Sequence, residues 1–189
     1  MTTLIFPIGH CLGPYYSGSA DTHVQQVRLG GEIVELTDED FAVWSIAHGL
    51  TAPPHTSWSR ATVVAFSAGG GIEDAEAVVD RLLARQLLAE VDADNAVDFA
   101  AGHRLLPLHL GLGNASQDDA MFRSGTTELA LAGMTRTLYD LWFWAHLSPN
   151  LLAACTEHEV DLTAVLTTLH ALLAPSATCL DLAEQEYRS

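Results

Sequence analysis

Between Ile72 and Leu88 the apolar residues Ala75, Val78, Val79, Leu82, Leu83 and Leu87 recur at i, i+3, i+4, i+7 and i+8, with one further turn. That period predicts an amphipathic helix over Ile72–Leu88. Glu73, Asp74 and Glu76 in its first turn and Arg81 and Arg85 near its end suit the helix dipole. Upstream, two short segments flank Gly30-Gly31, and a two-residue glycine loop predicts a β-hairpin over about His23–Leu29 and Glu32–Leu36. Thr37 follows as an N-cap, with the Asp40 carboxylate three residues on and Leu36 and Phe41 as a hydrophobic staple. A first helix therefore runs to Gly49, the C′ residue. A second is expected over Trp58–Ser67, capped by Ser57 after the Pro53-Pro54 loop, with Trp58, Ala61, Val64 and Ala65 facing in. Gly69, Gly70 and Gly71 end it.

Past the third helix, Leu88–Val91 and Ala96–Ala100 read as a second hairpin around Asp92-Ala93-Asp94-Asn95. Leu106, Leu108, Leu110 and Leu112 then alternate with Pro107, His109, Gly111 and Gly113, a period-two strand with one leucine face and one bare face. Residues 114–122 read as a polar loop, and 122–133 fit strand or helix equally. Met134–Leu147 is apolar on more than one face, which implies burial against the preceding hairpin and another helix, or at a homodimer interface through Trp142. Ser148-Pro149 restarts a short helix over Leu151–Glu157. Asp161 caps another, with Leu162, Val165, Leu166, Leu169 and Leu173 on one stripe, and Pro175 ends it. The tail from Ser176 is expected to add a helical turn or two, and residues 1–22 to form an irregular arm with a short strand at Leu4–Pro7.

Composition narrows what such a chain does. Of 189 residues, 49% are hydrophobic, the fraction of a globular protein. No apolar run reaches the roughly 18–20 residues that a membrane helix needs. The N-terminus has no basic stretch before its short apolar run, so a cytoplasmic protein without a membrane partner is expected. The net charge of -16 disfavours nucleic acid and anionic lipid and favours a basic partner. All eight basic residues are arginine. The three cysteines, Cys11, Cys155 and Cys179, imply no disulfide framework.

The candidate chemistry is sparse. The glycine run at 69–71 is not followed by Gly-Lys-Ser/Thr, and GLGN at 111–114 is a fragment of a dinucleotide fingerprint without its third glycine. Cys155, His158, His170 and Cys179 are metal-ligating types at spacings of no standard site. His10-Cys11 is a lone pair of such residues. No G-x-S-x-G elbow or protease-like cysteine occurs. His103 and His109, flanking the leucine strand, are the histidines closest to a catalytic context. No catalytic residue, metal or cofactor is assigned.

Three helices followed by a hairpin is the winged-helix arrangement, and VVDRLLARQLLAEV resembles the recognition-helix-to-wing segment of that superfamily. VRLGGEIVELTDEDFAVWSIAHG, a hairpin leading into the helices, resembles the PqqD-like family, the peptide-recognition domains of ribosomal-peptide biosynthesis. The match covers residues 23–91. The expected fold is therefore α+β: an arm (1–22), a winged-helix domain (23–112) and a helical extension (113–189). The resemblance implies a non-enzymatic module, accessory to bacterial peptide natural-product biosynthesis, that recognises a peptide or protein. An extended peptide would pair with the outer hairpin strand at Glu32, Val34 and Leu36. Glu73, Glu76 and Asp80 of the third helix would form the far wall and favour a basic or neutral peptide. The alternatives are a dimeric winged-helix transcriptional regulator and a small enzyme or metal-binding protein. Arg60, Arg81, Arg85 and Arg104 are the arginines a nucleic-acid face would need, but the leading end of the recognition helix carries Glu73, Asp74, Glu76 and Asp80 instead.

Overall fold

The computed structural model describes residues 2–18, 23–51 and 58–183. Its elements in chain order are β1 (Leu4–Pro7), β2 (His10–Tyr16), β3 (His23–Leu29), β4 (Glu32–Leu36), α1 (Asp38–Ile46), α2 (Arg60–Gly69), α3 (Ala75–Ala84), β5 (Leu88–Val91) and α4 (Ala96–Gly102). There follow β6 (His103–Pro107), β7 (Leu110–Ala115), β8 (Asp118–Gly125), β9 (Ala130–Met134), α5 (Arg136–Trp144), α6 (Leu151–Glu157), α7 (Leu162–Thr168), α8 (His170–Leu173) and β10 (Thr178–Leu182). The fold is mixed α+β, with strands in small antiparallel sheets: β1-β5, β6-β10, β2-β3-β4 and β7-β8-β9. No helix among the described residues is long and apolar enough to cross a membrane.

The hairpin forms in the expected register, with Leu29 opposite Glu32 and Val27 opposite Val34. Gly30 has φ 58°, whereas Gly31 lies outside the left-handed region, so the first loop position is the one that requires glycine. Thr37 caps α1 by accepting from the Asp40 N–H at 3.1 Å. The expected arm is ordered where it is described. β2 adds a third strand to the hairpin, and β1 is buried along its whole length. The reason is alternation. Ile5 points into a core with Val27, Trp44, Val79 and Leu82, while Leu4, Phe6 and Ile8 point into another with Leu105, Leu141, Leu166 and Leu180. One strand thus supplies a wall to both cores.

The expected second hairpin does not form. β5 pairs with β1, and residues 96–102 are helical. Ala96, Phe99 and Ala100 are the buried residues of α4, a helical spacing. The Asp92 carboxylate accepts from the N–H groups of Asp94 and Asn95, and this turn feeds the chain into α4 rather than back along β5. In α2 the cap is Ser59; Ser57 and the Pro53-Pro54 loop lie outside the described residues. Val63 and Ser67 of α2 are buried and Ala61 and Ala65 exposed, while Val64 packs half-buried against the core and Trp58, just before the helix, is buried in it. Asp74 caps α3, which is shorter than Ile72–Leu88.

The leucine run is two strands. β6 pairs with β10 and β7 with β8, with Leu108 and His109 between them. Residue 112, the expected domain limit, therefore lies inside β7. The segment beyond it is not purely helical: residues 114–133 build most of the β7-β8-β9 sheet, and the tail forms β10 rather than a helix. β10 is favoured because Cys179 and Leu180 are buried beside β6. Trp142 of α5 is fully buried among Ala132, Met134, Leu172 and Ala177 and donates from Nε1 to the Ala177 carbonyl at 3.0 Å. Its partners lie within one chain, so burial of this tryptophan requires no second copy.

Candidate functional site

β4 pairs with β3 on one side only, which leaves its other edge without a strand among the described residues. In a two-residue hairpin the residues flanking the loop exchange hydrogen bonds, so Glu32, Val34 and Leu36 bond inward to β3. Ile33 and Glu35 direct their backbone groups outward. The Glu35 carbonyl does not face open solvent alone: Nη2 of Arg85, just past the last turn of α3, donates to it at 2.8 Å. The end of α3 is thereby fixed beside the strand edge.

A buried carboxylate anchors that arginine. Asp40 of α1 is 3% exposed, and its Oδ1 accepts from Arg81 Nη2 at 2.5 Å and Nε at 3.0 Å. Its Oδ2 is 3.4 Å from Arg85 Nη1, and Glu39 lies 3.7 Å from Arg81. The bidentate hold on one oxygen offsets the cost of burying the charge. The hydrogen bond to Asp40 raises the Arg81 pKa above its ordinary value. This cluster ties α1, α3 and β4 together around the exposed edge. Asp40 was legible only as a partner of the helix cap; the missed signal is the Arg81/Arg85 pair at i, i+4, which presents two guanidinium groups on one flank of α3.

The residues expected to form the site divide. Glu32 is exposed, Val34 is half-buried, and Leu36, at 1% exposure, belongs to the core and offers no side chain to a ligand. Ile33, 61% exposed, is the large apolar side chain that β4 presents. Glu73 is exposed before α3 begins. Glu76 and Asp80 lie on the opposite flank of α3 from Arg81 and Arg85. There Arg60 of α2 donates to Glu76 at 2.9 Å and to Asp80 at 2.5 Å. The Asp80 hydrogen bond raises the Arg60 pKa. Arg60 thus draws these two carboxylates toward α2, and they do not form a far wall for β4. The acidic side chains carried by the edge strand itself are Glu32 and Glu35.

The arginines considered for a nucleic-acid face are likewise engaged with acids. Arg60 meets Glu76 and Asp80, Arg81 and Arg85 meet Asp40, and Arg104 lies 3.8 Å from Asp181. Cys155 and Cys179 are buried thiols, their pKa values pushed up by burial to about 11 and about 12. His103 stacks on Phe99 and donates from Nδ1 to the Phe99 carbonyl at 2.7 Å, and burial lowers its pKa. Burial also lowers the pKa of His109. Among the described residues no group of three His, Cys, Asp or Glu side chains is arranged to hold a metal ion. No known family model, curated protein or solved structure matches this chain.

Proposed function

We propose that this chain is a non-enzymatic recognition module that binds an extended peptide by strand addition to β4, in the manner of the PqqD-like domains that residues 23–91 resemble. The observation that carries the reading is the β4 edge: outward backbone groups on Ile33 and Glu35, no strand beside them among the described residues, and the end of α3 held alongside by Arg85. A docked strand satisfies such an edge with main-chain hydrogen bonds, and flanking side chains select its sequence. A three-stranded sheet leading into three helices matches the order of the resembled N-terminal segment, while β5 pairs with β1 and forms no wing hairpin. Glu32 and Glu35 keep the preference for a basic or neutral peptide that Glu76 and Asp80 do not supply. A role beside a ribosomal-peptide pathway follows from the resemblance alone.

The test uses Ile33→Pro. Proline removes an N–H that β3 does not use, and edge strands accept it. The variant should melt close to the wild type and lose binding of a labelled extended basic peptide that the wild type binds. Full binding by Ile33→Pro with an unchanged melt overturns strand addition at β4. A specific complex with the gene's own upstream DNA at physiological salt favours the regulator instead.

A further inference from the structure

The solvent face of the β7-β8-β9 sheet is apolar where a half-buried sheet is ordinarily polar. Phe122, Ser124, Ala132 and Met134 turn toward α5, which leaves Leu110, Leu112, Met121 and Leu131 on the outer face with half-buried Arg123 beside Met121. All four are exposed, Leu110 at 54%, and Leu129 in the adjoining loop reaches 61%. Glycine keeps the surface low between them. A Cβ at Gly133 would meet Met121 Sδ at 2.9 Å, and one at Gly125 would strike the Leu129 carbonyl. At the Leu110 end the face opens into a pocket of about 370 Å³, bounded by Pro107, His109, Leu110, Gly125 and Thr127. This is a largely apolar strip ending in a shallow, open depression.

Charge identifies the occupant. Exposed Asp118 and Asp119 stand at the β7-β8 turn and exposed Glu128 at the opposite end of β8, and these three carboxylates outnumber Arg123 on the same sheet. The whole chain carries -16. A second copy would bring the same acidic ends and the same net charge, so self-docking runs against the electrostatics. We infer that the outer face of β7-β8-β9 docks a protein partner whose apolar ridge is flanked by lysine or arginine. The leucines supply the buried contact, and the acidic ends supply orientation and encounter rate. This surface is separate from the β4 edge and does not depend on the peptide reading.

The test titrates the full chain with two labelled synthetic amphipathic peptides, both with leucine on one face, one with lysine and the other with glutamate on the opposite face. The leucine/lysine peptide should bind, more weakly as salt rises, and the leucine/glutamate peptide should not. Leu110→Ser with Leu131→Ser should weaken binding by about tenfold or more, because two apolar contacts are lost. Leu129→Ser, in a loop, should weaken it less and serves if the double variant melts early. Neutralising Asp118, Asp119 and Glu128 to their amides should flatten the salt dependence. Ile33→Pro should leave this binding unchanged. Equal binding of both peptides, wild-type affinity in the leucine variants, or loss of binding in Ile33→Pro overturns the inference. So does a dimer in sedimentation that the leucine variants dissociate.

Discussion

Two buried aspartates, each set between two arginines, do different jobs in the two regions where they sit. Asp40 belongs to the N-terminal core and is held by a short bidentate contact from Arg81, with Arg85 as the longer second partner. Arg81 lies in α3 and Arg85 just past its end, and both reach solvent, so this cluster is local and sets the geometry of the β4 edge. Asp181 is 0% exposed and lies at the junction of the two halves. From β10 its Oδ1 accepts from the Gly30 N–H of the hairpin turn at 2.6 Å and from the Leu182 N–H at 2.9 Å. Its Oδ2 has no short hydrogen bond and is compensated by charge, with Arg28 at 3.2 Å and Arg104 at 3.8 Å. A buried carboxylate whose partners can turn to water is a clamp, and one that also holds a backbone N–H inside the junction is a keystone.

The sharpest way to break that comparison is removal of each carboxylate. Asp181→Ala removes the acceptor of the Gly30 N–H and the carboxylate that faces Arg28 and Arg104, and should cost roughly 3–5 kcal/mol in urea unfolding. Asp181→Asn keeps an acceptor for Gly30 and should recover part of that loss. Equal stability of wild type and Asp181→Ala would show that the junction does not depend on this charge.

Acid should act on the same junction. His170 donates from Nε2 to the Ile5 carbonyl at 2.9 Å and stacks on Phe6, and burial lowers its pKa from 6.5 to about 4. Trp58 and Gly49 also pack on it, and half-buried His48 adds like charge. Between those two pKa values the unfolded chain holds the proton and the folded chain does not, so stability is full above pH 6.5 and falls as pH drops toward 4. The loss from this residue is at most about 3 kcal/mol. The lowered pKa values of His10, His48, His103 and His109 act in the same direction. His170→Gln should flatten the fall between pH 6.5 and 4; an unaltered profile would assign it to other groups.

Asp40→Ala should cost less, about 2 kcal/mol, because Arg81 and Arg85 turn to solvent when it goes. The contrast also explains what the sequence made legible. The hairpin, the Thr37 cap, α6 and the stripe of α7 rest on neighbours within a few residues, and local pattern predicts them. β5 reads as half of a hairpin until β1, more than eighty residues earlier, takes it as a partner. β10 reads as helix until β6 pairs with it across more than seventy residues. The candidate site divides the same way. The β4 edge follows from the glycine loop, but the side on which Glu76 and Asp80 lie is decided by Arg60, which no spacing rule ties to them.

The smallest effect tests the clamp most directly. Arg85→Ala removes the longest of the Asp40 contacts and leaves both short Arg81 bonds, so the carboxylate stays paired. The Glu35 carbonyl it releases lies at an exposed edge where water takes its place. Stability should fall by about 1 kcal/mol or less, well under the Asp40→Ala loss. The edge meanwhile gains a free acceptor. If Arg85 competes with an incoming strand for that carbonyl, Arg85→Ala should bind a candidate peptide about threefold to tenfold more tightly, the worth of one ordinary hydrogen bond. Arg85→Lys keeps the charge without the planar fork and should fall between the two. Weaker binding by Arg85→Ala would make the guanidinium a contact of the peptide rather than its competitor. Unchanged binding in both variants would place the docked strand at the Ile33 end of β4, beyond the reach of Arg85.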